Sequence, residues 1–259
     1  MKNRTCRARI QSRLLRVAIL ACLAWSFPSR VQAEGATAQP AAHSTPSPVA
    51  ATTEAKGPGP TAGQALQRLI DGNARYVAGG ATHPDQTTQR RADLAKGQAP
   101  FAIVLTCSDS RVAPELFLDQ GLGDLFVIRN AGNILDDHVI GSMEYAVEHL
   151  HVPLVLVVGH EKCGAVSAAV AGGEAPGHIR SIVEALEPAV EQVKNLPGDK
   201  VDNVVRANAQ RGAEILAHVE PILKEATGHA GLLVIAARYD LATGRLEILK
   251  EPVGTSAKR

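Results

Sequence analysis

The sequence lacks an apolar run long enough to cross a lipid bilayer, although a short apolar segment lies close to its N-terminus. That segment, "VAILACLAWSF", follows sixteen residues that include six Lys and Arg and no acid, and "PSRVQA" comes after it. A transmembrane helix needs about 20 apolar residues, so the segment is too short. A basic stretch, a short apolar stretch and a small final residue are typical of a secretory signal peptide. We predict that residues 1–33 are a signal peptide cleaved after Ala33; an uncleaved anchor, or a lipoprotein modified at Cys22, are the alternatives.

The chain that remains after such a cleavage lacks a basic cluster. It carries 20 Lys and Arg against 26 Asp and Glu, which is a net charge near −6. Nucleic acids and anionic membrane surfaces attract proteins through clustered Lys and Arg. We therefore expect no nucleic-acid partner and no stable membrane insertion after signal cleavage. The expected location is outside the cytoplasm, in the periplasm where the cell has an outer membrane.

Residues 34–60 lack large apolar side chains and consist mainly of Ala, Pro, Thr, Ser and Gly. Ordering such a segment costs conformational entropy that no burial offsets, so we predict a disordered linker. The pattern changes after residue 60, where apolar residues recur at helical intervals over about 65–78. We place one folded domain over residues 61–259.

The folded part shows no internal repeat, and its apolar runs do not alternate with polar residues. The runs 101–107, 125–130 and 154–160 are nearly continuous, as in strands buried on both faces of a parallel sheet. Helices are predicted at 137–150, 163–171, 179–193 and 201–225. Two C-terminal runs, "LLVIAARYD" and "RLEILKEP", flank a turn and predict a hairpin at the sheet edge. The predicted fold class is α/β, with a central mostly parallel sheet flanked by helices.

Cysteine is scarce: the chain has four, and only Cys107 and Cys163 lie outside the predicted signal peptide. Each stands where a predicted strand ends, and the carboxyl ends of strands are where α/β sheets bind ligands. His160 precedes Cys163 by three positions, so an imidazole and a thiolate can reach one ion. Two thiolates and one imidazole form a zinc site with an open fourth position. A disulfide is the alternative, since an oxidising compartment permits one.

The stretch "TCSDSR" adds a carboxylate and a guanidinium beside the first cysteine, at Asp109 and Arg111. Zn²⁺ with two thiolates and a neutral imidazole carries no net charge, so it acidifies a bound water less readily than an all-imidazole site would. Help from neighbouring groups is therefore expected. Asp109 can accept a hydrogen bond from a metal-bound hydroxide, and Arg111 can keep that carboxylate in place and ionised.

The motifs "CSDSRV" and "GHEKCGAV" closely resemble those of the β-class carbonic anhydrases, and the resemblance extends over roughly residues 61–240. It implies one Zn²⁺ per chain held by Cys107, His160 and Cys163. Asp109 and Arg111 would form the dyad beside the metal, and Asp109 can itself take the fourth zinc position in this family. The implied reaction is the reversible hydration of CO₂ to bicarbonate and a proton, by attack of zinc-bound hydroxide. A zinc hydrolase of carbonyl sulfide or carbon disulfide, and a zinc-binding protein without turnover, are the alternatives.

The resemblance also implies a substrate pocket formed by Gln98, Phe126, Tyr145 and Gly164. In the plant-like members the first three of these residues would enter the site from a second subunit, so a homo-oligomer is implied, either a dimer or a tetramer of dimers. One position departs from part of the family. The bicarbonate-regulated members have Trp three residues before the first zinc cysteine, where this sequence has Val104, so their inhibitory bicarbonate pocket does not carry over directly.

Overall fold

A computed structural model describes residues 59–249 of the chain. The predicted signal peptide lies outside these residues, as does the predicted linker apart from its last two positions. Within 59–249, none of the helices combines the length and the apolar character that a membrane crossing requires.

A five-stranded sheet organises the described residues, with the strand order β2-β1-β3-β4-β5. The strands are β1 Ala102–Cys107, β2 Leu125–Asn130, β3 Leu154–His160, β4 Leu233–Tyr239 and β5 Leu246–Ile248. The first four are parallel to one another, and β5 runs antiparallel to β4. The predicted mostly parallel sheet with a C-terminal edge hairpin is therefore confirmed.

Helices connect the strands and cover the sheet. They are α1 Ala62–Val77, α2 Thr88–Leu94, α3 Pro114–Phe117, α4 Asp137–Leu150, α5 Gly164–Ala171, α6 Ile179–Val193, α7 Lys200–His218 and α8 Ile222–Glu225. A 3₁₀ turn at Ala131–Asn133 follows β2, and a π-helical turn at Ala226–Ala230 follows α8. α1 begins with a capping box, in which the Thr61 side chain and the Gln64 side chain each bind the other residue's backbone amide.

Both faces of the sheet are buried, which explains why the strand sequences are continuously apolar. Along β1, Ile103 and Leu105 pack in a core with α4 and α7, whereas Ala102 and Val104 pack in a second core with α1 and α3. All four side chains are inaccessible to solvent. In contrast, β2 forms one edge of the sheet and is only half-buried.

Two features differ from the sequence-based expectation. The helix predicted over 201–225 is interrupted, since α7 ends at His218 and α8 begins only at Ile222. Pro221 explains the break, because it has no amide hydrogen to donate and disfavours helical backbone in the residue before it. α2 was not expected at all. None of its residues is buried, so no apolar periodicity marks it in the sequence.

Candidate metal centre

Two neighbouring strands and one helix bring the predicted zinc ligands together. Cys107 is the last residue of β1 and His160 is the last residue of β3. These strands are adjacent and parallel, so their carboxyl ends meet at one edge of the sheet. Cys163 follows as the N-cap of α5. The two sulfur atoms and an imidazole nitrogen all lie within 4.8 Å of one another, and the three residues are buried.

The two cysteines are separate thiols rather than a disulfide. Their sulfur atoms lie 4.0 Å apart, about twice the length of a sulfur–sulfur bond. This spacing leaves room for an ion that both sulfurs contact. The metal site that the sequence predicted therefore agrees with the geometry better than the disulfide alternative does.

The His160 ring is oriented as a metal ligand. Its Nδ1 lies 2.9 Å from the backbone carbonyl of Glu161, so Nδ1 carries the proton and donates it to that oxygen. Nε2 then presents its lone pair to the two sulfurs. This nitrogen is buried and has no hydrogen-bond partner among the described residues. A buried polar atom without a partner is costly, and a soft divalent cation would supply the missing partner, so the residues fit zinc.

The thiols are electrostatically unequal. The hydrogen bond with Cys163, together with smaller contributions such as that of the Gly132 amide, lowers the pKa of Cys107 to about 4 against the opposing effect of burial. The pKa of Cys163 is raised, because its thiol proton is shared with Cys107 and because it is buried. Without metal the pair therefore holds one proton, which a divalent cation displaces on binding.

Asp109 and Arg111 form an ion pair beside these ligands. The Arg111 guanidinium donates through Nε to Oδ1 at 2.8 Å and through Nη2 to Oδ2 at 2.7 Å. Nη2 also lies 3.3 Å from the backbone carbonyl of Lys162, in the loop between the last two ligands. The Arg111 hydrogen bond holds the pKa of Asp109 well below its ordinary range. Oδ2 of Asp109 is 3.9 Å from Nε2 of His160, so an ionised carboxylate borders the metal site.

Arg129 belongs to the site, although the sequence analysis did not single it out. It lies in the edge strand β2, and its guanidinium donates to the backbone carbonyls of Cys107 at 2.9 Å and Asp109 at 2.7 Å. It thus holds the segment that carries the first ligand and the dyad. A charged residue inside the apolar run "LFVIRN" was the available signal.

Two of the predicted pocket residues lie far from the ligands of their own chain. In the β1–β2 register Phe126 pairs with Ile103, whereas Cys107 pairs with Asn130. The four residue-to-residue steps of strand that separate these positions span about 13 Å. Gln98 is exposed and precedes β1, so it lies at the opposite end of that strand from Cys107.

The other two predicted pocket residues are Tyr145, which lies beside Phe126, and Gly164, which lies beside a metal ligand. Tyr145 is 47% exposed on α4, with its ring centroid 6.4 Å from that of Phe126, so these two aromatics form a pair. Gly164 directly follows Cys163 as the first residue of α5. A Cβ built at Gly164 would meet nothing within 4 Å, so the position next to the last ligand is open. Of the four residues, the structure brings only Gly164 to the metal site within one chain.

The fold and the site together define a class of protein. It is an α/β protein with a Cys₂His centre at the carboxyl edge of a parallel sheet and an Asp–Arg pair next to it. Three protein ligands leave a metal coordination position open, which is the arrangement of catalytic zinc sites.

Comparison with known proteins agrees with this class. The carbonic anhydrase family profile matches residues 102–246. Carbonic anhydrase 2 of Mycobacterium tuberculosis is 41% identical over 194 residues, which cover 73% of this chain and 93% of that protein. The carbonic anhydrase of Mycolicibacterium smegmatis is 41% identical over 188 residues, or 71% of this chain and 91% of that one. Among solved structures, a tetrameric β-carbonic anhydrase from Sordaria macrospora superposes with a TM-score of 0.60 at 27% identity, covering 73% of this chain and 98% of that chain. The chain belongs to the β-carbonic anhydrase family.

Proposed function

We propose that this protein catalyses the reversible hydration of CO₂ to bicarbonate and a proton, with one zinc ion per chain. The observation that carries this proposal is the convergence of Cys107, His160 and Cys163 next to the Asp109–Arg111 pair, in a chain of the carbonic anhydrase family. A ligand cluster alone would fit a structural metal. The adjacent ionised carboxylate, held by a guanidinium, is what a catalytic site needs.

The zinc ion supplies the activation of a water molecule near neutral pH, which is the chemistry that CO₂ hydration requires. The protein's own residues hold and aim the reacting groups. Asp109 is acceptor-only while ionised, so it can take a hydrogen bond from the nucleophile and direct a lone pair at the substrate. Arg111 maintains that ionised state and occupies both carboxylate oxygens. Gly164 leaves space for a small substrate beside the ligands.

The test combines metal analysis with stopped-flow CO₂ hydration. We expect about one zinc per chain in the purified protein, and loss of both zinc and activity in Cys163→Ser, because a hydroxyl is a poor substitute for a thiolate ligand. Circular dichroism checks that the variant keeps its secondary structure. Full zinc occupancy in the folded variant would refute the ligand assignment. Faster turnover of carbonyl sulfide than of CO₂ by the wild-type protein would refute the substrate assignment.

We also propose a homo-oligomer in which Gln98, Phe126 and Tyr145 complete the pocket of a neighbouring subunit. The register supports this, since Phe126 lies about 13 Å along the strand from its own Cys107 partner position. The half-buried edge strand β2 and the exposed Tyr145 are consistent with a surface that a second chain covers. The relative from Sordaria macrospora is described as tetrameric.

Export is a further part of the proposal. The basic N-terminal stretch, the short apolar segment and the small residue Ala33 support cleavage of a signal peptide and a location in the periplasm or outside the cell. The linker over 34–60 would then precede the enzyme domain. N-terminal sequencing of the protein recovered from its native cells should begin after Ala33, and a sequence that begins at Met1 would contradict export by this route.

A further inference from the structure

A backbone amide contacts one of the metal ligands from outside the ligand set. The N–H of Gly132 points at the sulfur of Cys107 with an N···S distance of 3.3 Å, and both residues are buried. Gly132 belongs to the 3₁₀ turn that follows β2, a segment far from the motifs that mark the zinc site in the sequence. The donor is therefore placed by tertiary structure.

The conformation of this turn is unusual and is held from two sides. Gly132 has φ +77° and ψ 12°, a left-handed conformation that glycine adopts readily. The side chain of Asn130 spans the turn, donating to the carbonyl of Ile134 and accepting from its amide, both at 2.9 Å. On the other side, α7 stabilises the turn, because the Asn208 side-chain amide donates a hydrogen bond to the Gly132 carbonyl at 2.9 Å. Asn208 is only 6% exposed.

The close packing of α7 on the sheet explains how Asn208 reaches the turn. At Gly159, which immediately precedes the ligand His160, a Cβ atom would lie 2.8 Å from the Val205 side chain and 3.0 Å from its carbonyl oxygen. Only glycine lets the helix approach β3 this closely. Val205 is less than one turn of helix before Asn208, so this contact also restricts where Asn208 lies.

We propose that Asn208 is a positioning residue of the metal centre: it holds Gly132 so that the Gly132 amide donates a hydrogen bond to the Cys107 thiolate. Such a bond withdraws charge from the sulfur and reduces its donor strength toward the metal, which leaves the metal a stronger Lewis acid. This matters in a Cys₂His site, because two thiolates neutralise the charge of a divalent cation. The inference rests on the proposed zinc site and assigns Asn208 no contact with substrate.

The direct test is NMR of the wild-type protein loaded with ¹¹³Cd. A hydrogen bond to a metal-bound sulfur transmits scalar coupling between the amide proton and the metal nucleus, so we expect coupling from ¹¹³Cd to the Gly132 amide. A second coupling, from the Asn208 side-chain nitrogen to the Gly132 carbonyl carbon, reports the hydrogen bond that Asn208 donates to Gly132. A thiolate-bound ¹¹³Cd signal without coupling to Gly132 would overturn the proposal.

The variant test uses Asn208→Ala and Asn208→Leu, the latter to fill the space in case the first does not fold. With Co²⁺ in the site, loss of the N–H···S bond should move the thiolate-to-metal charge-transfer band to longer wavelength. With zinc, kcat/KM at neutral pH should fall about tenfold and the pH–rate profile should move to higher pH. A folded variant with the wild-type cobalt spectrum would refute the positioning role.

Asn73→Ala is the matched control. Asn73 is also 6% exposed, and its side-chain amide also donates to backbone carbonyls, those of Phe117 and Gly244, but it lies in α1. This variant should be less stable to heat and should keep the wild-type cobalt spectrum. An equal spectral change in Asn73→Ala would show a general effect of destabilisation and would overturn the proposal. Absence of any thiolate-bound metal in the wild-type protein would instead refute the proposed zinc enzyme itself.

Discussion

The Asp109 carboxylate has two competing cations within reach: the Arg111 guanidinium that it contacts, and a metal ion held by the neighbouring ligands. Arg111 binds both carboxylate oxygens and lowers the pKa of Asp109. If the guanidinium is removed, that pKa rises toward the ordinary value of about 3.9, so the carboxylate stays ionised at neutral pH. The freed anion then competes with water and hydroxide for the metal.

We therefore expect Arg111→Ala to keep its zinc and to lose about 10- to 100-fold in kcat/KM for CO₂ hydration at neutral pH. Activity should recover in part at alkaline pH, because more hydroxide is then present to compete with the carboxylate. Stopped-flow measurements from about pH 6.5 to 9.5, with zinc assayed in parallel, test both effects. Arg180→Ala is the control, since Arg180 forms an exposed ion pair with Glu184 on α6. If Arg111→Ala has the wild-type rate and the wild-type pH–rate profile, the Asp109–Arg111 pair has no role in the reaction.

At this scale, the ligands and the dyad could be predicted from the sequence, whereas the contacts of Arg129 and Asn208 could not. Cys107 and His160 end two apolar runs, and the rule that strand ends converge was enough to bring them together. Arg129 and Asn208 donate to backbone carbonyls that lie 20 or more positions away in the chain. Such contacts depend on how elements pack, and no local pattern encodes them.

At the scale of elements, one buried carboxylate attaches the loop after α1 to the end of α3. Asp119 accepts hydrogen bonds from Nε of Arg75 at 2.6 Å, from the amides of Thr82 and His83 at 2.9 Å, and from the Thr82 hydroxyl at 3.0 Å. Its side chain is fully buried. Burial opposes ionisation, but these donors outweigh it and hold the pKa of Asp119 well below its ordinary range.

We expect Asp119→Asn to lower the free energy of unfolding by about 2 kcal/mol at pH 7, since hydrogen bonds to a charged group are lost. A carboxyl group with a depressed pKa in the folded state stabilises the protein above its unfolded pKa, and that stability is lost as the pH falls through the folded pKa. The difference between wild type and variant should therefore shrink below about pH 4. Urea denaturation at several pH values measures it, with the exposed Asp93→Asn as control. A difference that is constant with pH would exclude the ionised carboxylate as its source.

The elements themselves were predictable where burial imposes a pattern. Strands β1 and β3 are buried along their whole length and appear as apolar runs, and α4 was predicted with its observed bounds because its apolar stripe faces the sheet. α2 buries no residue, so its sequence has no apolar periodicity that would predict a helix. The break after α7 depends on Pro221, which is a local signal in the sequence. The apolar periodicity continues past this residue, and for that reason it predicted one helix over 201–225.

At the scale of the whole molecule, two of the predicted pocket residues lie away from the metal ligands of their own chain. Phe126 and Tyr145 contact each other on the half-buried edge of the sheet, away from the metal ligands. The sequence indicated them only through resemblance to a family, because the pattern of one chain does not encode which surface a second chain covers. Shared sites between subunits would give both residues a role in the reaction.

Subunit mixing tests that arrangement. Tyr145→Phe should lower CO₂ hydration while zinc stays bound, and Cys107→Ser should lose metal and activity. In a two-fold symmetric dimer with shared sites, random mixing of the two variants makes about half of the dimers mixed, and one of the two sites in each mixed dimer has every wild-type residue. Activity should therefore recover to about a quarter of the wild-type value. Mixing Cys107→Ser with Cys163→Ser is the matched control, because both changes remove ligands that a chain supplies to its own site, and no site is then restored. If mass spectrometry shows mixed oligomers and the first pair still gives no recovery, Tyr145 acts within its own subunit and the shared pocket is refuted.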